Sequence, residues 1–202
     1  MNQSFTIHQI RKLENEEFKK LKSSFILMER AGSACAKFIL NKFTFSHATI
    51  LCGPGNNAGD GFIIARLLKK NKKKVSLYCL NKNTYSGDAL KAYKKNKLQK
   101  KTFKTFNIKK NSLIIDCLFG IGLNRKIKGI LKNVILLVNT SDNLVVAIDI
   151  ASGLNGNSGK VMGTAIKANY SLALHGIKRG QTKSLGKKFS GKVKVIDIGI
   201  RS

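Results

Sequence analysis

Cys52-Gly53-Pro54-Gly55-Asn56-Asn57-Ala58-Gly59-Asp60-Gly61 is the stretch whose reading decides the fold. A short apolar run, Ala48–Cys52, leads into it, and Phe62, Ile63, Ala65, Leu67 and Leu68 follow at helical spacing up to Lys70. Strand, glycine-rich turn, helix is the opening of a βαβ unit. Glycines let the backbone turn tightly and approach a ligand, and the free N–H groups at a helix start favour an anion such as a phosphate. Two common phosphate loops are excluded by spacing. After Gly53 and Gly55 the third glycine is Gly59, one residue late for GxGxxG, and no Gly-Lys-Ser/Thr follows. Asn56, Asn57 and Asp60 add amides and a carboxylate, although asparagines also serve tight turns and aspartate also caps helices.

Outward from this loop the same alternation continues. Upstream, residues from about 6 to 41 read as two helices, the second with Phe25, Leu27, Met28, Ala31, Cys35, Phe38 and Ile39 on one face. Downstream, strands are predicted at Lys74–Leu80, Ser112–Cys117, Leu144–Ile150, Tyr170–Leu174 and Val193–Ile198, with helices at Gly87–Lys97 and Gly129–Val138. Leu113-Ile114-Ile115 is continuously apolar, as strands of parallel sheets usually are. The pattern predicts an α/β fold, a Rossmann-like three-layer αβα sandwich with a mostly parallel central sheet. No repeat or linker divides the chain, so one domain is expected over 1–202, with the helices at about 6–41 and the core at about 47–200. Ligands of such folds bind beyond the carboxyl ends of the strands. That rule selects Gly53–Gly61, Asp116–Lys126 and Asp149–Gly159.

Composition narrows the class further. Lys and Arg number 38 against 10 acids, a net charge of +28. The basic residues are spread through most segments and lack interleaved aromatics, so contact with nucleic acid is expected to be non-specific only. The four cysteines, Cys35, Cys52, Cys79 and Cys117, have no CxxC spacing and suit buried packing in a reducing compartment. Glu14, Glu16 and Glu17 argue against an acid-poor transit peptide, and no apolar stretch is long enough for a bilayer. A cytoplasmic protein that does not meet the membrane is expected.

The second loop, Asp116-Cys117-Leu118-Phe119-Gly120-Ile121-Gly122-Leu123-Asn124-Arg125, begins with a carboxylate at the end of an apolar strand. Burying such a group is costly without a cation, donors or water. Arg125 or Lys126 could reach a phosphate. The third loop repeats the arrangement: Asp149 ends the run Ala147-Ile148, and Ser152-Gly153 makes the turn. Two strand-end acids beside a phosphate-type turn point to an enzyme site. An NAD(P)-dependent oxidoreductase fits less well, because both the glycine spacing and the acidic residue of its fingerprint are missing.

GPGNNAGDG, DCLFGIGLNR and DIASGLNGNSG, in this order, resemble the NAD(P)H-hydrate epimerase family, also called the YjeF N-terminal domain family. Met28-Glu29-Arg30-Ala31-Gly32, the Ala173–Gly176 segment with Lys178, and the Asp197-Ile198-Gly199-Ile200 ending extend the likeness from about Phe25 to Ile200. Ala58, Ala151 and Arg179 depart from the family pattern, which has a glycine and two prolines there. The dehydratase domain sometimes fused in this family has no counterpart in the chain.

The resemblance implies epimerisation of the R and S forms of hydrated NADH or NADPH (NADHX and NADPHX), a repair of nicotinamide nucleotides. It implies that Asn56, Asn57, Ala58, Gly59 and Asp60 bind the nucleotide together with Gly120, Ile121, Gly122, Leu123, Asn124, Arg125 and Lys126. Asn57, Asp116 and Ser152 would hold one potassium ion per subunit, in keeping with the preference of hard cations for oxygen. Asp149 would contact the hydrated ring and act as the catalytic acid–base. A homodimer formed through the N-terminal helices is implied too. The alternative is a non-catalytic nucleotide-, RNA- or protein-binding module on the same fold.

Overall fold

A computed structural model describes residues 4–200; the ends of the domain expected over 1–202 lie outside the described residues. The chain runs β1 (Ser4–Phe5), α1 (Ile7–Leu21), α2 (Ser24–Lys42), β2 (His47–Cys52), α3 (Asn56–Lys70), β3 (Lys74–Cys79), α4 (Gly87–Lys95) and β4 (Lys100–Thr102). It continues through β5 (Leu113–Cys117), α5 (Gly129–Asn139), β6 (Val145–Ile148), β7 (Tyr170–Leu174), β8 (Ile177–Lys178), α6 (Ser184–Ser190) and β9 (Lys192–Ile196).

Seven strands form one sheet in the order β4-β3-β2-β5-β6-β7-β9, and every pair in it is parallel. The chain winds outward from β2 to β4, returns to β5 and winds the other way. The switch between β2 and β5 opens a crevice at their carboxyl ends. Both faces of the sheet are apolar, which is why its strands read as continuous runs. Ile50, Cys52, Ile115, Cys117, Val146 and Ile148 face a core built with α2, α3 and α4. Their neighbours Leu51, Ile114, Val145 and Ala147 face a second core with α5. The three-layer αβα sandwich expected from the sequence is present. Among the described residues no helix is long and apolar enough to cross a membrane.

Three differences from the sequence reading have physical causes. First, α3 begins at Asn56, four residues before the expected Asp60, because Gly55 adopts φ 90° and completes the turn alone. Asn56 and Asn57 therefore lie in the first helical turn, and Asp60 lies inside the helix and does not cap it. Ala58 is buried in the same turn, where alanine suits a helix better than the family's glycine. Second, β6 stops at Ile148, not Ile150, because Asp149 turns to φ 70°. Third, β4 went unpredicted because Lys100-Lys101-Thr102 has no apolar alternation; lysine is common on exposed sheet edges.

The N-terminal segment is tied to the sheet's far side. β1 pairs in parallel with β8, setting Ser4 against Ile177 and Phe5 against Lys178. Thr6 and Gln9 form a capping box, and the Ile7 N–H donates to Asn157 Oδ1 at 2.8 Å. Helix α1 is thereby laid across the open end of the crevice.

Candidate active site

The loops after β2, β5 and β6 converge on a cavity of about 730 Å³, a size typical of small-ligand sites. Pro54, Gly55, Asn56, Asn57 and Asp60 line one side, and Phe119–Arg125 line the next. Asp149 forms part of the floor, with Leu174 and Ile198 beside it. Arg11, Glu14 and Phe18 of α1 complete the lining with Leu27 and Met28 of α2.

Not all of the residues expected in the nucleotide site reach this cavity. Ala58 and Gly59 do not line it; they face the helical layer, where a side chain on Gly59 would overlap Met28. Their motif positions serve close packing of α3. Lys126 is exposed and also outside the lining. Gly120 does sit at the meeting point of the three loops. A Cβ there would lie 3.3 Å from Asp149 Oδ2 and 3.4 Å from Asn57 Cβ.

Asp116, at the end of β5, is fully buried. Its Oδ1 accepts from Ser152 Oγ at 2.6 Å and from the Leu118 N–H at 3.1 Å. Its Oδ2 accepts from the Ser152 N–H at 2.9 Å. Ser152 Oγ in turn accepts from the Phe119 N–H at 2.8 Å. Burial pushes the Asp116 carboxyl up to about 6 against the pull of these donors. Both side-chain polar atoms of Asn57, in the first turn of α3, are buried without a hydrogen-bond partner. An unsatisfied buried amide costs about 1–3 kcal/mol unless a ligand meets it. Asn57 lines the cavity, whereas Asp116 and Ser152 lie outside its lining, bonded to each other; the oxygen chemistry of the three side chains is of the kind a hard monovalent cation takes. No cluster of three His, Cys, Asp or Glu side chains that could hold a metal ion occurs among the described residues.

Asp149 has a different partner. Its carboxylate forms an ion pair with Lys178, a fully buried lysine that also donates to the Leu174 carbonyl at 2.9 Å. The Lys178 N–H donates to Gln181 Oε1 at 2.9 Å, and Gln181 Nε2 donates to the Asp149 carbonyl at 3.3 Å. The left-handed backbone at Asp149, uncommon outside glycine, is held by this network and by its N–H donating to the Leu172 carbonyl at 2.8 Å. Lys178 and Gln181 were not singled out as site residues in the sequence. Lys178, two residues after His175-Gly176, carries part of the family likeness, but nothing in its spacing points to Asp149 as its partner.

Two more acids share this field. Burial raises Asp60 well above the usual carboxylate range, helped by Asp149 and Glu14. Glu14 is pushed up to about 7, first by burial and then by Asp149, with Lys178 and Arg11 opposing.

A doubly wound parallel sheet with its crevice at the β2/β5 switch, and with these three loops in it, defines the class. The chain belongs to the family described as YjeF-related protein N-terminus, whose model matches residues 24–180. Among its relatives, the NAD(P)H-hydrate epimerase of Lentilactobacillus buchneri is 37% identical over 99% of this chain and 96% of that protein. The NAD(P)H-hydrate epimerase of Oenococcus oeni is 34% identical over 88% and 87%. The bifunctional NAD(P)H-hydrate repair enzyme Nnr of Coxiella burnetii is 33% identical over 95% of this chain but only 40% of its own length. The crystal structure of yeast ynu0 has the same fold, with a TM-score of 0.73 at 17% identity, covering 96% of this chain and 87% of that one.

Proposed function

We propose that this protein interconverts the R and S epimers of hydrated NADH and NADPH. The observation that carries the reading is the convergence on one cavity of a glycine-turn helix start, an unpartnered buried amide and an ion-paired carboxylate. The open N–H groups at the start of α3 suit the phosphates, with Arg125 at the rim. Asp60 and Asn56 present polar atoms to the rest of the nucleotide, and Gly120 leaves room for the ring beside Asp149.

In the hydrated ring, C6 bears a hydroxyl next to the ring nitrogen. Nitrogen can expel that hydroxyl as water once it is protonated, and water can return to the other face as a base removes its proton. Asp149, ion-paired with Lys178 and lining the cavity, would exchange a proton with this oxygen. Asn57, Asp116 and Ser152 would hold a potassium ion, which supplies positive charge against the buried Asp116 carboxylate and the polar atoms of the ligand.

The proposal extends to a homodimer, supported by the family resemblance, and to weak polyanion contact, supported by the net charge of +28. Four free, buried cysteines support a reducing, cytoplasmic setting. The test is to incubate the protein with the R epimer of hydrated NADH, with and without potassium, and follow the S epimer by chromatography. Potassium-assisted equilibration is expected. Binding without conversion would make the chain a nucleotide-binding module.

A further inference from the structure

Glu14 of α1 lines the same cavity as Asp149, from a different element of the fold, and we propose that it is the second acid–base group of the epimerisation, serving the face of the ring that Asp149 does not. This inference rests on the epimerase reading above.

Helix α1 reaches the cavity by construction. Its start is fixed to the third loop through Ile7 and Asn157, and the strand before it pairs with the residue pair containing Lys178. Arg11, Glu14 and Phe18, spaced three and four residues apart, share the face of α1 that lines the cavity. One turn further on, Glu17 turns away to Arg30 of α2 at 3.3 Å. Glu14 has no ion pair or hydrogen bond among the described residues, unlike Glu17. The charged groups around it are Arg11 on its own helix, Asp60 on α3, Asp149 after β6, Lys178 on β8, and Asp88 and Arg125 elsewhere in the lining.

When the hydroxyl leaves one face of C6 as water and water returns to the other, a proton must be given on the first face and taken on the second. Asp149 is anchored in the floor by its ion pair, so a single carboxylate would have to serve two opposite faces of a bound ring. With Glu14 as a second carboxyl group lining the cavity from α1, each face has its own group. Glu14 in its acid form gives its proton to the C6 hydroxyl; the C6–O bond breaks, its electron pair leaves with the water, and the nitrogen lone pair forms the C6–N double bond. Water entering from the opposite face forms the new C6–O bond, the double-bond pair returns to nitrogen, and the Asp149 carboxylate accepts the proton. Exchange with solvent returns the proton to Glu14, and the reverse reaction swaps the roles. Two carboxyl groups in unlike environments are the usual way to divide such duties.

The experiment measures kcat, KM and pH profile for the wild type, Glu14→Gln and Asp149→Asn with the R epimer of hydrated NADH in potassium buffer. Glu14→Gln is expected to lower kcat about 100-fold or more with KM within twofold. The wild-type rate should fall as pH rises through about 7, where Glu14 loses its proton, and that limb should vanish in the variant. If Glu14→Gln lowers the melting temperature, Glu14→Asp decides: a displaced alkaline limb supports the role, and an unmoved one overturns it. Wild-type kcat and limb in Glu14→Gln, with Asp149→Asn inactive, would overturn the Glu14 role and leave the epimerase reading standing. A wild type inactive on both epimers would remove the function itself, and this proposal with it.

Discussion

Strands β5 and β6 lie side by side, with Asp116 opposite Ala147, and each ends in an apolar run followed by an aspartate. The two acids meet opposite fates. Asp116 is sealed among neutral donors from Ser152 and Leu118. Asp149, one strand over, meets a buried lysine and faces the cavity. Similar local sequence patterns thus yield one acid held by neutral donors and one held by a buried cation. The difference comes from what the rest of the chain delivers: Ser152 to one, Lys178 to the other.

The comparison can be broken most severely at Asp149. Asp149→Asn should cut kcat about 10³-fold, since it removes the proton-exchanging group. It should also cost stability, because Lys178 is left as a buried charge without its partner. Lys178→Met strands the opposite charge, and urea unfolding should show a loss of about 3–5 kcal/mol. The double variant should recover part of that loss, a coupling that two independent sites would not show.

At the other acid the expected effects are smaller and of another kind. Potassium should raise the melting temperature of the wild type relative to lithium at equal ionic strength. Asn57→Ala should abolish that difference while leaving the ion pair of Asp149 intact. The mildest effect is expected at Gly120, where a methyl group would stand 3.3 Å from Asp149 Oδ2. Gly120→Ala should raise KM several-fold with little change in melting temperature.

Much of this architecture was legible in the chain because its signals are local. A parallel sheet covered on both faces leaves continuous apolar runs, and a strand-end aspartate shows as a charge where such a run stops. The start of α3 was misplaced because Gly55-Asn56-Asn57 has turn composition, while a single left-handed glycine in fact does all the turning. Ala58 and Gly59 sit within the motif yet point into helix packing, since a helix presents successive residues to different sides. The pairing of Lys178 with Asp149 and the arrival of Glu14 were illegible for a different reason. Each depends on long-range contacts, the pairing of β1 with β8 and the docking of α1 on Asn157, that no spacing in the sequence encodes.

The most direct test compares wild type and Asp149→Asn on the R epimer of hydrated NADH at a temperature where both are folded and both bind nucleotide. Rapid approach to the R/S equilibrium is expected for the wild type and conversion slower by about 10³-fold for the variant. Equal rates in the two proteins, or nucleotide binding by the wild type with no epimerisation, would contradict this expectation.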